Sequence, residues 1–154
     1  MNALTVLNDA TQMLAEVRTI DGAKQLMDVA AAAKYYAQKH GLGKQAVDYA
    51  REIEVEAEIK LGEFLATMEK NKGGRPGEKT TVHDTAVLST PKLQEIGISE
   101  NLSREAQSLA SLPDKEKAKV KSGKKSKRAA VKESKAAKQK EIADLKRKLS
   151  GKDI

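Results

Sequence analysis

The feature that most constrains this chain is a stripe of small and aliphatic side chains over residues 46–68. Ala46, Ala50, Ile53, Ala57, Leu61, Phe64 and Met68 recur in steps of three and four, the spacing that lines one face of an α-helix. Val55 and Ile59 lie about 200° from that stripe, near the opposite face. A helix that is apolar on two sides needs two neighbours. Two preceding helices could straddle it, or a second copy of the chain could cover it. Helix 43–68 is therefore a candidate surface for a homo-oligomer.

Composition points the same way. With one Phe, three Tyr and no Trp, the core must be built from Leu, Ile, Val, Met and Ala. Such a core suits helix packing better than a β-sandwich, where aromatic and β-branched residues are enriched. Helical spacing appears again in Ala3, Leu7, Ala10, Leu14 and Val17, and in Leu26, Ala30, Ala33 and Ala37. Thr19 to Gly22 break the first run, with Asp21 as the expected N-cap of the second, and Gly41 should stop that second helix. The expected fold class is all-α: an N-terminal three-helix region (1–70) with one long helix, a Gly/Pro linker and loop (71–89), a small helix-turn-helix-like segment (90–121), and a basic helical or disordered tail (122–154).

Several chemistries are excluded or disfavoured. The absence of cysteine removes disulfides and thiolate zinc sites. The only histidines are His40 and His83, too few for a His-based metal centre without carboxylates gathered around them. Glu52, Glu54, Glu56, Glu58 and Glu63 make the long helix acidic, and Glu54 and Glu58 share a face, but no Glu-x-x-His motif accompanies them. The expected reading is a solvated face supported by Arg51 and Lys60. Ser89 and Thr90 have no convincing histidine partner. We expect no catalytic residues, no metal and no cofactor. No apolar run reaches the roughly 18 residues of a membrane span, and the N-terminal MNALTVLNDA has neither a basic start nor a cleavage signal. The expected location is cytoplasmic, without a membrane partner.

Charge is unevenly spread. Residues 114–154 hold 16 Lys/Arg against 6 Asp/Glu, whereas residues 1–113 hold 13 against 16. A mildly acidic body with a strongly basic tail suits a polyanionic partner, nucleic acid first. Lysine ammoniums suit phosphate contact without sequence reading. Lys121, Lys124, Lys125, Lys127 and Arg128 are the tail residues expected to make it. The tail has no interleaved aromatics for base stacking. Ile142, Leu145 and Leu149 follow a three-four spacing over little more than one heptad, short of a stable coiled coil.

Residues 90–113, TPKLQEIGISENLSREAQSLASLP, carry the one motif that could read sequence. Thr90-Pro91 is a helix start. Leu93 and Ile96 are expected on a short helix that stops at Gly97, and Ser99 caps the next helix, whose apolar stripe is Leu102, Ala106 and Leu109. That is the grammar of a helix-turn-helix. Asn101, Ser103, Arg104, Gln107 and Ser108 are expected on the outer, DNA-facing side, where Arg can pair with guanine and Asn or Gln with adenine. Two features oppose it. The β-branched anchor usual six residues after the glycine is here Ser103, and Glu100 and Glu105 lie where phosphates would repel them. In the linker, GGRPG resembles a minor-groove hook, with Lys72 and Arg75 as its contacts; a solubilising hinge is the simpler reading.

The order of parts resembles a family of small phage- and prophage-encoded helical proteins. The matching elements are a YA-x-x-x-GLG-like turn (36–43), a Leu61-Gly62-Glu63 step, the KNKGGRP linker (70–76) and a GIS-x-x-x-S-x-x-A-x-x-LA segment (97–110). They span roughly residues 10–113. The resemblance implies an accessory role in a bacterial host's cytoplasm, and DNA binding by analogy alone. Two functions follow as expectations: a non-enzymatic, regulatory nucleic-acid-binding protein, duplex DNA favoured, or a phage factor that binds and redirects a host protein through its N-terminal helices.

Overall fold

Thr19 decides where the first turn falls. Its backbone is extended, and its hydroxyl accepts the Gly22 N–H at 3.1 Å, capping a helix two residues earlier than the Asp21 start expected from sequence. In the structure, a computed structural model describing residues 3–68 and 93–151, α1 therefore spans Ala3–Glu16 and α2 spans Ile20–Lys39. α2 stops at the expected glycine, Gly41, whose φ is +61°. α3 (Lys44–Thr67) follows, then α4 (Glu100–Ala110), α5 (Asp114–Lys121) and α6 (Lys127–Ser150). The fold is all-α, with no strand among the described residues. Lys72, Arg75 and the rest of the expected linker lie outside them.

The two-sided pattern of α3 is answered within one chain. On one side Ala50, Ile53 and Ala57 pack with Leu7, Ala10 and Leu14 of α1 and Leu26, Ala30 and Ala33 of α2. On the other, Val55 and Ile59 pack with Leu109 of α4, Leu112, Val120 of α5 and Ala130 of α6. The second neighbour is thus neither of the expected candidates. It is the chain's own C-terminal half, and α3 keeps no apolar face for a second copy. A third cluster joins Ala23 of α2 to Leu61 and Leu65 of α3, Ile98 and Ala106.

The turn before α4 forms as the glycine implied. Gly97 adopts φ +72°. Its N–H donates to the Gln94 carbonyl at 3.2 Å, and the Ile98 N–H donates back to Leu93 at 2.9 Å, the paired bonds of a Schellman close. Residues 93–97 are a turn, however, and not the helix expected there; the proposed Thr90-Pro91 start lies outside the described residues. Ser99 caps α4 as expected, accepting the Leu102 N–H at 3.2 Å.

α4 crosses α3 at Gly62. A Cβ there would collide with the Ala106 carbonyl oxygen and stand 2.9 Å from the Ala110 Cβ. Glycine inside a helix costs about 0.5–1 kcal/mol relative to alanine, so this position carries a local cost in return for close helix approach. Gly62→Ala should therefore destabilise the protein, by about 1–3 kcal/mol, instead of giving the usual helix-propensity gain. A lowered urea midpoint at unchanged m-value would show this; a raised midpoint would refute the close crossing.

Candidate nucleic-acid interface

Basic residues dominate α5 and α6, yet much of that charge is met by α3. Lys121 stands 3.4 Å from Glu56 and Lys117 stands 3.9 Å from Glu63. Lys127 pairs with Glu58, whose side chain is only 3% exposed. From the other flank Lys34 of α2 pairs with Glu54. The acidic stripe of α3 is thus largely a docking surface for the chain's own cations, not the solvated face expected. The expected supports also act elsewhere: Arg51 bridges Asp48 at 3.1 Å, and Lys60 donates to the Leu14 carbonyl. Of the five glutamates, Glu52 and Glu63 are exposed.

The relative sizes of these effects decide what holds the two halves together. A half-exposed ion pair contributes about 0–1 kcal/mol. Each buried Leu, Ile or Val is worth about 1.5–3 kcal/mol. The seam of Val55, Ile59, Leu109, Leu112 and Val120 therefore supplies the adhesion, and the ion pairs select the register.

The turn between α5 and α6 is a second polar knot. Lys125 stands 2.8 Å from Glu116 and also pairs with Glu133. Lys119 reaches Glu116 at 2.8 Å. Hydrogen bonds from Lys119, then Lys125, hold the Glu116 carboxyl below its ordinary value of 4.5. Those from Glu116, then Glu133, push the Lys125 ammonium above its ordinary 10.5. Ser126 then caps α6, accepting the Ala129 N–H at 3.2 Å.

The expected contact residues thus divide. Lys121, Lys125 and Lys127 are half-buried and engaged by carboxylates. Ser103 is not on the outer face: it is 4% exposed and accepts a 2.9 Å hydrogen bond from Gln107 Nε2. The expected outer surface therefore loses a member. Gln107 is half-buried and turned toward that bond. Asn101, Arg104, Lys124 and Arg128 are exposed, as expected.

Arg104 and Arg128 come together. They flank a groove of about 550 Å³ between α4 and the first turns of α6, with Lys132 and Lys135 along its edge. Leu109, Val131 and the Glu58–Lys127 pair also line it, together with Glu105. None of Arg104, Arg128, Lys132 and Lys135 has an ion-pair partner among the described residues, unlike the lysines that face α3. The first turn of α6 has no acidic residue, although a helix N-terminus favours anions by about 0.3–1 kcal/mol each. Lys127 is compensated there by Glu58, and Arg128 is not. Lys132 and Lys135 were missed by the sequence reading. Their three-four spacing from Arg128 was the available signal.

No protein-family profile, characterised protein or solved structure matches the chain. Among the described residues no helix is long and apolar enough to cross a membrane.

Two predictions follow from the ion pairs. Removing Lys127 strands a buried carboxylate, whereas replacing Glu58 by leucine removes the buried charge and leaves a lysine that can reach water. Lys127→Met should cost about 2 kcal/mol, and Glu58→Leu should be near neutral or stabilising; equal losses in denaturant melts would contradict this. The Glu116 contribution is present above the unfolded value near 4.5 and is lost as pH falls through its lower folded value. The Lys125 contribution is present below 10.5 and is lost as pH rises through its higher folded value. The stability gap between wild type and Glu116→Gln should thus be wider at about pH 6 than at about pH 3, as read by denaturation midpoints.

Proposed function

We propose that this chain is a non-enzymatic, phage-type accessory protein with a regulatory role that binds nucleic acid, duplex DNA in preference, through the exposed side of α4 and the unpaired cations of α6. One observation carries the reading. Arg104, Arg128, Lys132 and Lys135 surround one groove without ion-pair partners among the described residues, while the lysines facing α3 are neutralised internally. Like charges held together on a surface repel one another; the phosphates of a polyanion relieve that repulsion, and the protein's cations release the counterions condensed on the polyanion's backbone. Asn101, three residues before Arg104, is exposed at the N-terminal end of α4.

A second reading, a module that binds a host protein, has its own observation. Tyr35 and Tyr36 are 63% and 45% exposed near the end of α2, and Leu42, just after that helix, is 45% exposed. Exposed tyrosines are common at protein interfaces. The acidic face of α3, the surface first expected to serve that role, is largely occupied by the C-terminal half.

The deciding measurement is binding of the full chain to duplex DNA, single-stranded DNA and RNA in parallel over a salt series. We expect duplex binding that falls steeply with salt, and at least about tenfold weaker binding for an Arg104→Ala/Arg128→Ala variant. No binding to any nucleic acid at low salt would overturn the proposal. Capture of a host protein that Tyr35→Ala/Tyr36→Ala abolishes would then favour the second reading.

A further inference from the structure

α6 does not end where the body ends. Ala130 is its only buried residue, and every side chain from Lys135 to Ser150 is exposed. At 1.5 Å per residue this unsupported part is more than about 20 Å long. An isolated helix of that length is marginal in water, and the apolar stripe Ile142, Leu145, Leu149 is too short to close a coiled coil by itself.

The acids of this helix keep to one side, although cations ring it, with Lys140, Arg147 and Lys148 on the acidic side. Taking 100° per residue, Arg128, Lys132, Lys135 and Lys146 fall within an arc of about 60°. Gln139 lies in the same arc and continues the row. The acidic residues of α6, Glu133, Glu141 and Asp144, lie about 140–220° from Arg128, on the far side. The row begins beside Arg104 in the groove and runs outward along the exposed part of the helix.

We propose that α6 is a duplex-tracking rail: the row Arg128, Lys132, Lys135 and Lys146, joined by Arg104, contacts backbone phosphates of double-stranded DNA without reading base sequence. This rests on the nucleic-acid reading above and specifies its substrate. Arg128 to Lys146 spans about 27 Å, the rise of about eight base pairs. The surroundings of α4 argue against base readout. Ser103 is buried, Gln107 is bonded to it, and Glu100 and Glu105 lie beside Asn101 and Arg104. A helix so edged with carboxylates is poorly suited to entering a major groove, whereas the α6 row presents no acid.

The test uses the full chain and labelled 20-base-pair duplexes of unrelated sequence, titrated at several salt concentrations. Two double variants are compared: Lys132→Gln/Lys135→Gln on the row, and Lys138→Gln/Lys140→Gln off it. Both change exposed residues, and circular dichroism checks that helicity is kept. The log–log salt slope should fall by about 0.9 for each row charge removed, with weaker binding to every duplex alike, and should change little for the second pair. Anionic and neutral lipid vesicles are included, because a basic helix carrying Ile142, Leu145 and Leu149 could instead lie on a membrane. Equal losses from both pairs, discrimination among duplexes, or tighter binding to anionic vesicles than to DNA would each overturn the rail while leaving duplex binding itself to be judged by the parallel measurement. Absence of duplex binding at low salt removes both.

Discussion

α3 is enclosed by its own chain, and the positions of the other helices follow from that enclosure. Its alanine-rich side accepts α1 and α2 at close range because Ala50 and Ala57 leave no bulk between helices. Its Val55–Ile59 side accepts α4, α5 and the start of α6. Gly62 lets the α4 backbone approach where any larger residue would hold it off. Had either side been left open, a second molecule would have been needed to cover it. Instead one helix serves as the shared wall of three small clusters, each too small to stand far from the marginal range alone.

Enclosure also changes the electrostatics. The carboxylates of α3 would repel a nucleic acid if they faced outward. Packed against α5 and α6, they meet Lys117, Lys121 and Lys127. The +10 formal charge of residues 114–154 therefore overstates what a partner meets near the body. Of the cations left without an ion pair among the described residues, Arg104, Arg128, Lys132 and Lys135 share one groove, while Lys115, Lys124 and those from Lys138 to Lys148 lie outside it. Folding here acts as a charge filter, cancelling one side of the basic segment and leaving the other.

How far this was legible in the sequence depends on the range of the interaction. Helical periodicity is local, so α1, α2 and α3 could be placed from spacing alone, and Gly41, Gly97 and Ser99 act at the positions that turn and cap chemistry assigns them. The α2 cap moved from Asp21 to Thr19 because both residues can cap, and backbone conformation chooses between them. What covers the second face of α3 was not legible, because a pattern of apolar residues announces a neighbour without naming it. Ser103 shows the same limit. It is a polar residue that reads as outward-facing, and it is buried because Gln107, one turn on, supplies its hydrogen bond. The pairing of Glu56, Glu58 and Glu63 with lysines 54 to 69 positions away lay beyond any reading based on spacing within one helix.

The start of α6 brings these arguments together. Basic residues at a helix N-terminus oppose the helix dipole, and at Lys127 the opposition is relieved by Glu58, held in place by the apolar seam around it. Arg128 follows at once with no such relief. Neighbouring residues on one turn thus receive opposite treatment: Lys127 meets Glu58 of α3, while Arg128 lines the groove with Arg104 and makes no ion pair among the described residues. A stabilising role explains Lys127 completely. It does not extend to Arg128, Lys132 or Lys135, which make no ion pair among the described residues and stand together along one groove.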